Sequence, residues 1–255
     1  MKIPGFSWTR LFLEGSAVVV SILLAFAIDA AWQERQEKKA DIAQLEGLYG
    51  ELQTHKVLLG EAITAHRKTV EYGYELLGLL AAEPDPGDAA RITELLDELQ
   101  DSYRINAPFG SLNTSISSGT IARMQNVELA SGLASWPTAI EDLMEEEETS
   151  GVVLVVDLYA MLGQLVSLNH VYDRRLSNPG VRGTGEIVAE VAIGDLPGAS
   201  APRDYSNLYG NTVFANNLMN VMVWAQSSQG EATLADQHLD DLMEKLAGCL
   251  AEHDC

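Results

Sequence analysis

The stretch LEGSAVVVSILLAFAIDAAWQERQEKKA, residues 13–40, runs from a lone acid through an apolar segment straight into a charged tail of helix-forming residues. Around it, Leu11 to Trp32 makes 22 residues interrupted only by Glu14 and Asp29. At about 1.5 Å of rise per residue, such a helix spans the hydrocarbon core of a bilayer. Trp8 and Trp32 bracket the segment as interfacial aromatics do, and Lys2, Arg10, Arg35, Lys38 and Lys39 lie at or near its ends. The pattern predicts a short tail over residues 1–10, a transmembrane helix over 11–32, and a helix that continues beyond it. A cleaved signal peptide is the rival reading, because Ala25-Phe26-Ala27 has the small-x-small form that signal peptidase accepts. Glu14 inside the apolar region and the unbroken charged tail favour an uncleaved anchor.

At about 100° per residue, Arg10, Glu14, Ala17, Ser21, Ala25 and Asp29 share one face with Trp32, while Val19, Val20, Leu23, Leu24 and Phe26 cover much of the rest. Small residues at four-residue spacing let another helix come close, and acids within a membrane face protein or trapped water rather than acyl chains. This face is therefore expected to meet another membrane protein or a second copy of the chain, and the aliphatic face the lipid bilayer. The competing reading has both acids snorkelling at headgroup depth without a partner. Arg10 precedes Glu14 by four residues, so the two can also neutralise each other.

Composition sets the bounds. The chain has 255 residues, 47% of them hydrophobic, which is enough for a sizeable core beside a membrane segment. Of its formal charge of -21, residues 1–40 carry almost none: five Lys/Arg stand against four Asp/Glu there, leaving eleven against thirty-three in residues 41–255. A body so acidic repels polyphosphate, and nucleic acid is excluded as a partner. Cys249 and Cys255 are the two cysteines, both too close to the C-terminus to staple the fold.

Downstream of the anchor, apolar residues recur at helical spacing through Ile42, Leu45, Leu48, Leu52, Leu59, Ile63, Val70, Tyr74, Leu77 and Leu80, which predicts a stalk-like helix over 33–82. EPDPGD, residues 83–88, breaks it. A second helix is expected over 89–103, a hydroxyl-rich loop over 107–119, a third helix over 120–135, and a fourth starting at Trp136-Pro137 with Ser135 as its cap. The run EDLMEEEETSG, residues 141–151, reads as a solvated helix face. VVLVVDLYAMLGQLVSL, residues 152–168, reads as a core helix rather than a second membrane pass, since Asp157 and Gln164 interrupt a short run. An irregular Gly- and Pro-containing crossover over 178–203, with a short strand at 187–193, leads to two closing helices near 205–226 and 231–250. The fold class expected is all-α: a transmembrane helix continuing into an up-and-down helical bundle over 33–255.

Signatures of chemistry are absent from the sequence. The histidines, His55, His66, His170, His238 and His253, form no His-x-x-x-His pair, there is no Cys-x-x-Cys, and no Gly-x-Ser-x-Gly elbow occurs. No metal, cofactor or catalytic residue is expected; the nearest approach to a ligand pair is Glu51 and His55, one turn apart. The one candidate ligand feature is the hydroxyl run entering a helix: Ser117, Ser118 and Thr120 with Arg123 one turn in, where free N–H groups and the dipole could hold a small anion. The plainer alternative is a helix start capped by Ser117 or Ser118. Cys249 and Cys255 could form a disulfide if the helix unwinds after Gly248; an interchain bridge is the other option.

The segments FLEGSAVVVSILLAFAIDAAWQERQEKK (12–39) and SLNTSISSGTIARMQNVELASGLASW (111–136) together resemble a family of uncharacterised bacterial single-pass inner-membrane proteins. The resemblance implies an N-terminal anchor ending in an Asp-x-x-Trp-like motif, a charged helix, and a Ser-Ser-Gly turn into another helix, with no activity to carry over. The function expected is a membrane-anchored scaffold or accessory subunit of an envelope complex, associating through its transmembrane helix. The alternatives are a periplasmic sensor signalling through a partner, since only ten residues precede the membrane segment, and an envelope hydrolase. Basic residues flank the span on both sides, so a periplasmic body is inferred from the signal-anchor character of the start and the low Lys/Arg content of the rest.

Overall fold

The computed structural model describes residues 8–100, 103–172, 203–252 and 255. Every regular element in it is helical. Helix α1 runs unbroken from Trp8 to Ala81, 74 residues or about 110 Å at the standard rise. No proline occurs between Pro4 and Pro84, so nothing interrupts the hydrogen-bond ladder until the EPDPGD turn, where Asp85 caps a short 3₁₀ turn over Pro86–Asp88. Then come α2 (Ala89–Glu98), α3 (Gly110–Ser117), a 3₁₀ turn (Ile121–Arg123), α4 (Val127–Val152), a π-helical stretch (Val153–Tyr159), α5 (Ala160–Leu165), a 3₁₀ turn (Ser206–Leu208) and α6 (Thr212–Glu252). The crossover and strand expected over 178–203 lie outside the described residues, save Arg203.

Burial along α1 falls at residues 45, 48, 52, 55, 59, 62, 66, 69, 73, 76 and 80, alternating steps of three and four. That alternation is the seam of a coiled coil. Gly73 and Leu76 occupy the seam, and Tyr74, expected inward, is 65% exposed. Helix α6 carries the matching seam through Phe214, Leu218, Val221, Ala225, Ser228, Ala232, half-buried Ala235, Leu239, Leu242 and Leu246. The two helices run antiparallel, with Lys56 paired to Asp236 (2.8 Å) and Asp240 (2.7 Å), and Gly73 packed against Met222. A Cβ at Gly73 would fall 2.5 Å from the Met222 sulfur, so glycine permits this approach. Helix α4 lies parallel to α1, as the pairs His55–Trp136 and His66–Glu147 require. Between them the segment 82–126 descends along α1, touching Glu75, then Leu58 and Glu61, then Glu51, then Asp41. The result is an up-down-up-down bundle.

Four local assignments differ from the sequence expectation. Helix α2 ends at Glu98, because Tyr103 turns away to hydrogen-bond the Leu58 carbonyl (3.2 Å) and Glu61 (3.0 Å). Part of the hydroxyl-rich loop is α3, whose N-terminus is capped from another helix: Glu51 accepts from the N–H groups of Ser111 (2.7 Å) and Leu112 (3.0 Å). The third and fourth helices are one, α4, started by Asn126, whose side chain accepts from Leu129 N–H (3.0 Å), and continuing through Pro137. Trp136, fully buried, holds that stretch in place despite the missing N–H. The two closing helices are likewise one, α6, because its seam continues through Ser228 and Ala232 across the Ser-Ser-Gln-Gly break.

The π-helical stretch has a readable cause. Continuing the spacing of α4 past Leu154 by three would turn Asp157 inward. Widening the helix by one residue brings in Leu158 instead and leaves Asp157 exposed. Leu154, Leu158 and Leu162 thereby join the core, as expected for a core helix.

Two apolar clusters make up the core. The proximal one, nearer the start of α1, includes Leu45, Leu52, Leu133, Trp136 and Leu242; the distal one includes Leu76, Leu96, Leu158, Phe214 and Leu218. Between them lies a polar waist of His66, Thr69, Glu147 and Ser228, all buried. Glu147 is 2% exposed, so the acidic run does not form a wholly solvated face. Its carboxylate accepts from Ile105 N–H (2.6 Å) and from His66 Nε2 (3.2 Å), which answers the demand of a buried acid for partners.

Candidate functional site

Residues 16–40 of α1 are exposed along their whole length, in contrast to the packed helix beyond Asp41. Val18, Val20, Leu23, Leu24, Phe26 and Ile28 present their side chains outward with no protein against them. A helix that buries one face belongs to a core, whereas an unpacked helix apolar over most of its surface has the composition of a membrane span. Helix α1 is long and apolar enough to span a membrane. The stretch Val127–Leu165 passes the same length and composition test but buries its inward stripe in the bundle.

On α1, Ala17, Ser21, Ala25 and Asp29 take the one helix face expected of them, all exposed. The Ser21 hydroxyl donates to the Ala17 carbonyl (2.7 Å), so it needs no outside partner, and the face remains free for a close helix–helix approach. The side chains of Arg10 and Glu14 lie outside the described residues.

Where α1 enters the body, a polar clamp closes on it. Arg123 makes a forked contact with Asp41 (Nη2 to Oδ1, 2.5 Å; Nε to Oδ2, 3.1 Å) and donates to the Ser118 carbonyl (3.0 Å). The Thr120 hydroxyl lies 2.8 Å from Asp41 Oδ1 and 2.7 Å from Gln44 Oε1, and Ser118 donates to Gln44 (2.8 Å). Gly119, at φ +78°, makes the tight turn that points both ends of this loop at α1. No family model, curated protein or solved structure matches this chain.

The geometry revises the anion reading. Ser118, Thr120 and Arg123 do converge, but on the chain's own α1, Thr120 and Arg123 at Asp41 and Ser118 at Gln44, while Ser117 bonds back to Thr114 (3.1 Å). Ser117 and Ser118 stand at the C-terminal end of α3 and not at the start of a helix, so they meet its carbonyl end rather than free N–H groups. Likewise Glu51 and His55 form no pair: Glu51 caps α3, and His55 accepts from Trp136 Nε1 at Nδ1 (2.9 Å) and meets the Pro108 carbonyl through Nε2 (2.6 Å). Among the described residues no group of three or more His, Cys, Asp or Glu could hold a metal ion. The roles of Asp41, Gln44 and Glu51 could not be read from the sequence, because each has a partner 60 or more residues away.

Cys249 and Cys255 form an intrachain disulfide with their Cα atoms 5.0 Å apart. Helix α6 continues through Gly248 to Glu252, and the Cys255 carbonyl accepts from Gln125 N–H (2.6 Å). Cys249, Leu250 and Cys255 pack against the proximal cluster.

The Arg123 guanidinium holds the Asp41 carboxyl below the usual aspartate range, helped by the Thr120 hydroxyl and opposed by partial burial. A depressed folded-state value stabilises the fold at pH above the unfolded value and loses that contribution as pH falls through the folded one. Relative to Asp41→Asn, the wild type is therefore expected to lose melting temperature more steeply as pH drops from about 5 to 3. Parallel acid limbs in the two melting curves would remove the clamp's electrostatic role.

Proposed function

We propose that this chain is a single-pass membrane-anchored scaffold or accessory subunit of an envelope complex, its helical body on the periplasmic side of the bacterial inner membrane. The observation that carries the reading is the fully exposed apolar run of α1, continuous with a helix that is packed on one side all the way to the distal turn. An anchor alone would not need that continuity. The Ala17–Ser21–Ala25 face, bounded by Arg10 and Glu14 on one side and Asp29 on the other, is the surface through which it meets another membrane protein or a second copy. The intrachain disulfide supports the periplasmic side, since such bonds persist in oxidising compartments and are rare in the cytosol.

Purification in mild detergent tests the association. Ser21→Leu or Ala25→Leu is expected to leave membrane insertion intact and to reduce recovery of the associated protein or oligomer by about tenfold or more. Equal recovery from mutant and wild type would discard the proposed face. For the compartment, a phosphatase fused after Cys255 is expected to be active; activity of a cytoplasm-only reporter at that position would reverse the orientation.

A second reading, a sensor acting through a partner, draws on the clamp. Arg123 and Asp41 tie the membrane helix to the body at its entry point, so displacement of either is passed to the other. Under this reading Arg123→Ala keeps the associated protein and loses its regulation; under the scaffold reading nothing downstream changes.

A further inference from the structure

A groove of about 480 Å³ runs along the outer face of α1 beside the polar waist, walled by Glu98 and Tyr103. Its floor is hollow because Gly60, Thr64 and Ala65 are small. Tyr72 and Tyr103 form its sides. Glu61 and Lys68 stand seven residues apart, two turns along the same helix face and about 10 Å between their Cα atoms. Glu98 completes the lining opposite.

The polar groups here are unevenly used. The Tyr103 hydroxyl donates toward one oxygen of Glu61 (3.0 Å), leaving the other oxygen open to the groove's solvent. Among the described residues Lys68 makes no ion pair, although this acidic body gives most of its lysines one. A groove with a carboxylate at Glu61, an ammonium two turns along at Lys68, and two tyrosines in its lining does not suit an anion or a purely apolar molecule. It matches a molecule with both charges and a short apolar middle.

We propose that this groove binds a small zwitterion of dipeptide size, with its ammonium against Glu61, its carboxylate at Lys68 and the Thr64 hydroxyl, and its side chains against Tyr72 and Tyr103. The assignment does not depend on the membrane association above: the groove belongs to the body, and loss of binding with full recovery of the complex would refute this site alone.

Calorimetric titration of the full-length protein in detergent tests it, with alanyl-alanine, its N-acetyl form and its C-terminal amide as probes. The free dipeptide is expected to bind, and each capped form, lacking one charge, to bind about tenfold or more weakly. Lys68→Gln and Glu61→Gln are expected to weaken the free dipeptide by a similar factor; both sites are exposed, and glutamine at 61 still accepts from Tyr103, so the melting temperature should hold. Equal affinity of capped and free forms, unchanged affinity in both variants, or no heat up to about 10 mM would each overturn the proposal.

Discussion

Trp136→Ala is expected to lower the unfolding free energy of the body by about 4 kcal/mol, the range for truncating a buried large aromatic. The indole is fully buried in the proximal cluster, stacks with His55 at 6.2 Å between centroids, and lies 6.0 Å from the ring of His238. Its removal opens a void among helices α1, α4 and α6 at once. It also strands His55 Nδ1, which then has no donor, a loss worth about 1–3 kcal/mol of that total. Trp136→Phe separates the two contributions: it retains most of the volume and deletes the N–H. Chemical denaturation should place it roughly midway between wild type and alanine, and a phenylalanine variant as stable as wild type would show that the indole–imidazole bond contributes nothing.

The second large effect is at the waist. Glu147→Ala is expected to cost about 3 kcal/mol or more, because the buried N–H of Ile105 and the ring of His66 both lose their acceptor. The more telling variant is the double substitution His66→Leu with Glu147→Leu. Buried polar pairs replaced together by apolar residues are often no less stable than the original, so the double variant should be less destabilised than Glu147→Ala alone. Additive losses from the two sites would mean that the pair is not a unit.

Much of the architecture could be read in advance because it depends on local signals. The absence of proline between Pro4 and Pro84 and the three-and-four spacing of apolar residues specify α1, and EPDPGD stops it. Where sequence reading went astray, a tertiary contact had overridden a local preference. Gly230 and its polar neighbours look like a break, yet α6 passes through them because Ser228 and Ala232 fill its seam against α1. Pro137 looks like a helix start, yet it sits mid-helix beside a tryptophan anchored on another element. Glu147 sits among Glu145, Glu146 and Glu148, and only the helix phase set by Ile140 and Leu143 singles it out as the inward one. Of the ligand residues suggested by the sequence, three do come together, but their acidic counterpart Asp41 lies about eighty positions earlier and carries no motif.

The antiparallel return of α6 has a practical corollary for anyone handling the protein. Cys255 comes back beside Gln125, at the level where α1 enters the body near Asp41. Nine residues separate Asp41 from Trp32, about 13 Å of helix. With α1 embedded as proposed, an affinity tag joined to the last residue would emerge close to the lipid headgroups, shadowed by detergent and by whatever shares the membrane, whereas a tag inserted in the EPDPGD turn would project from the opposite pole into open solvent.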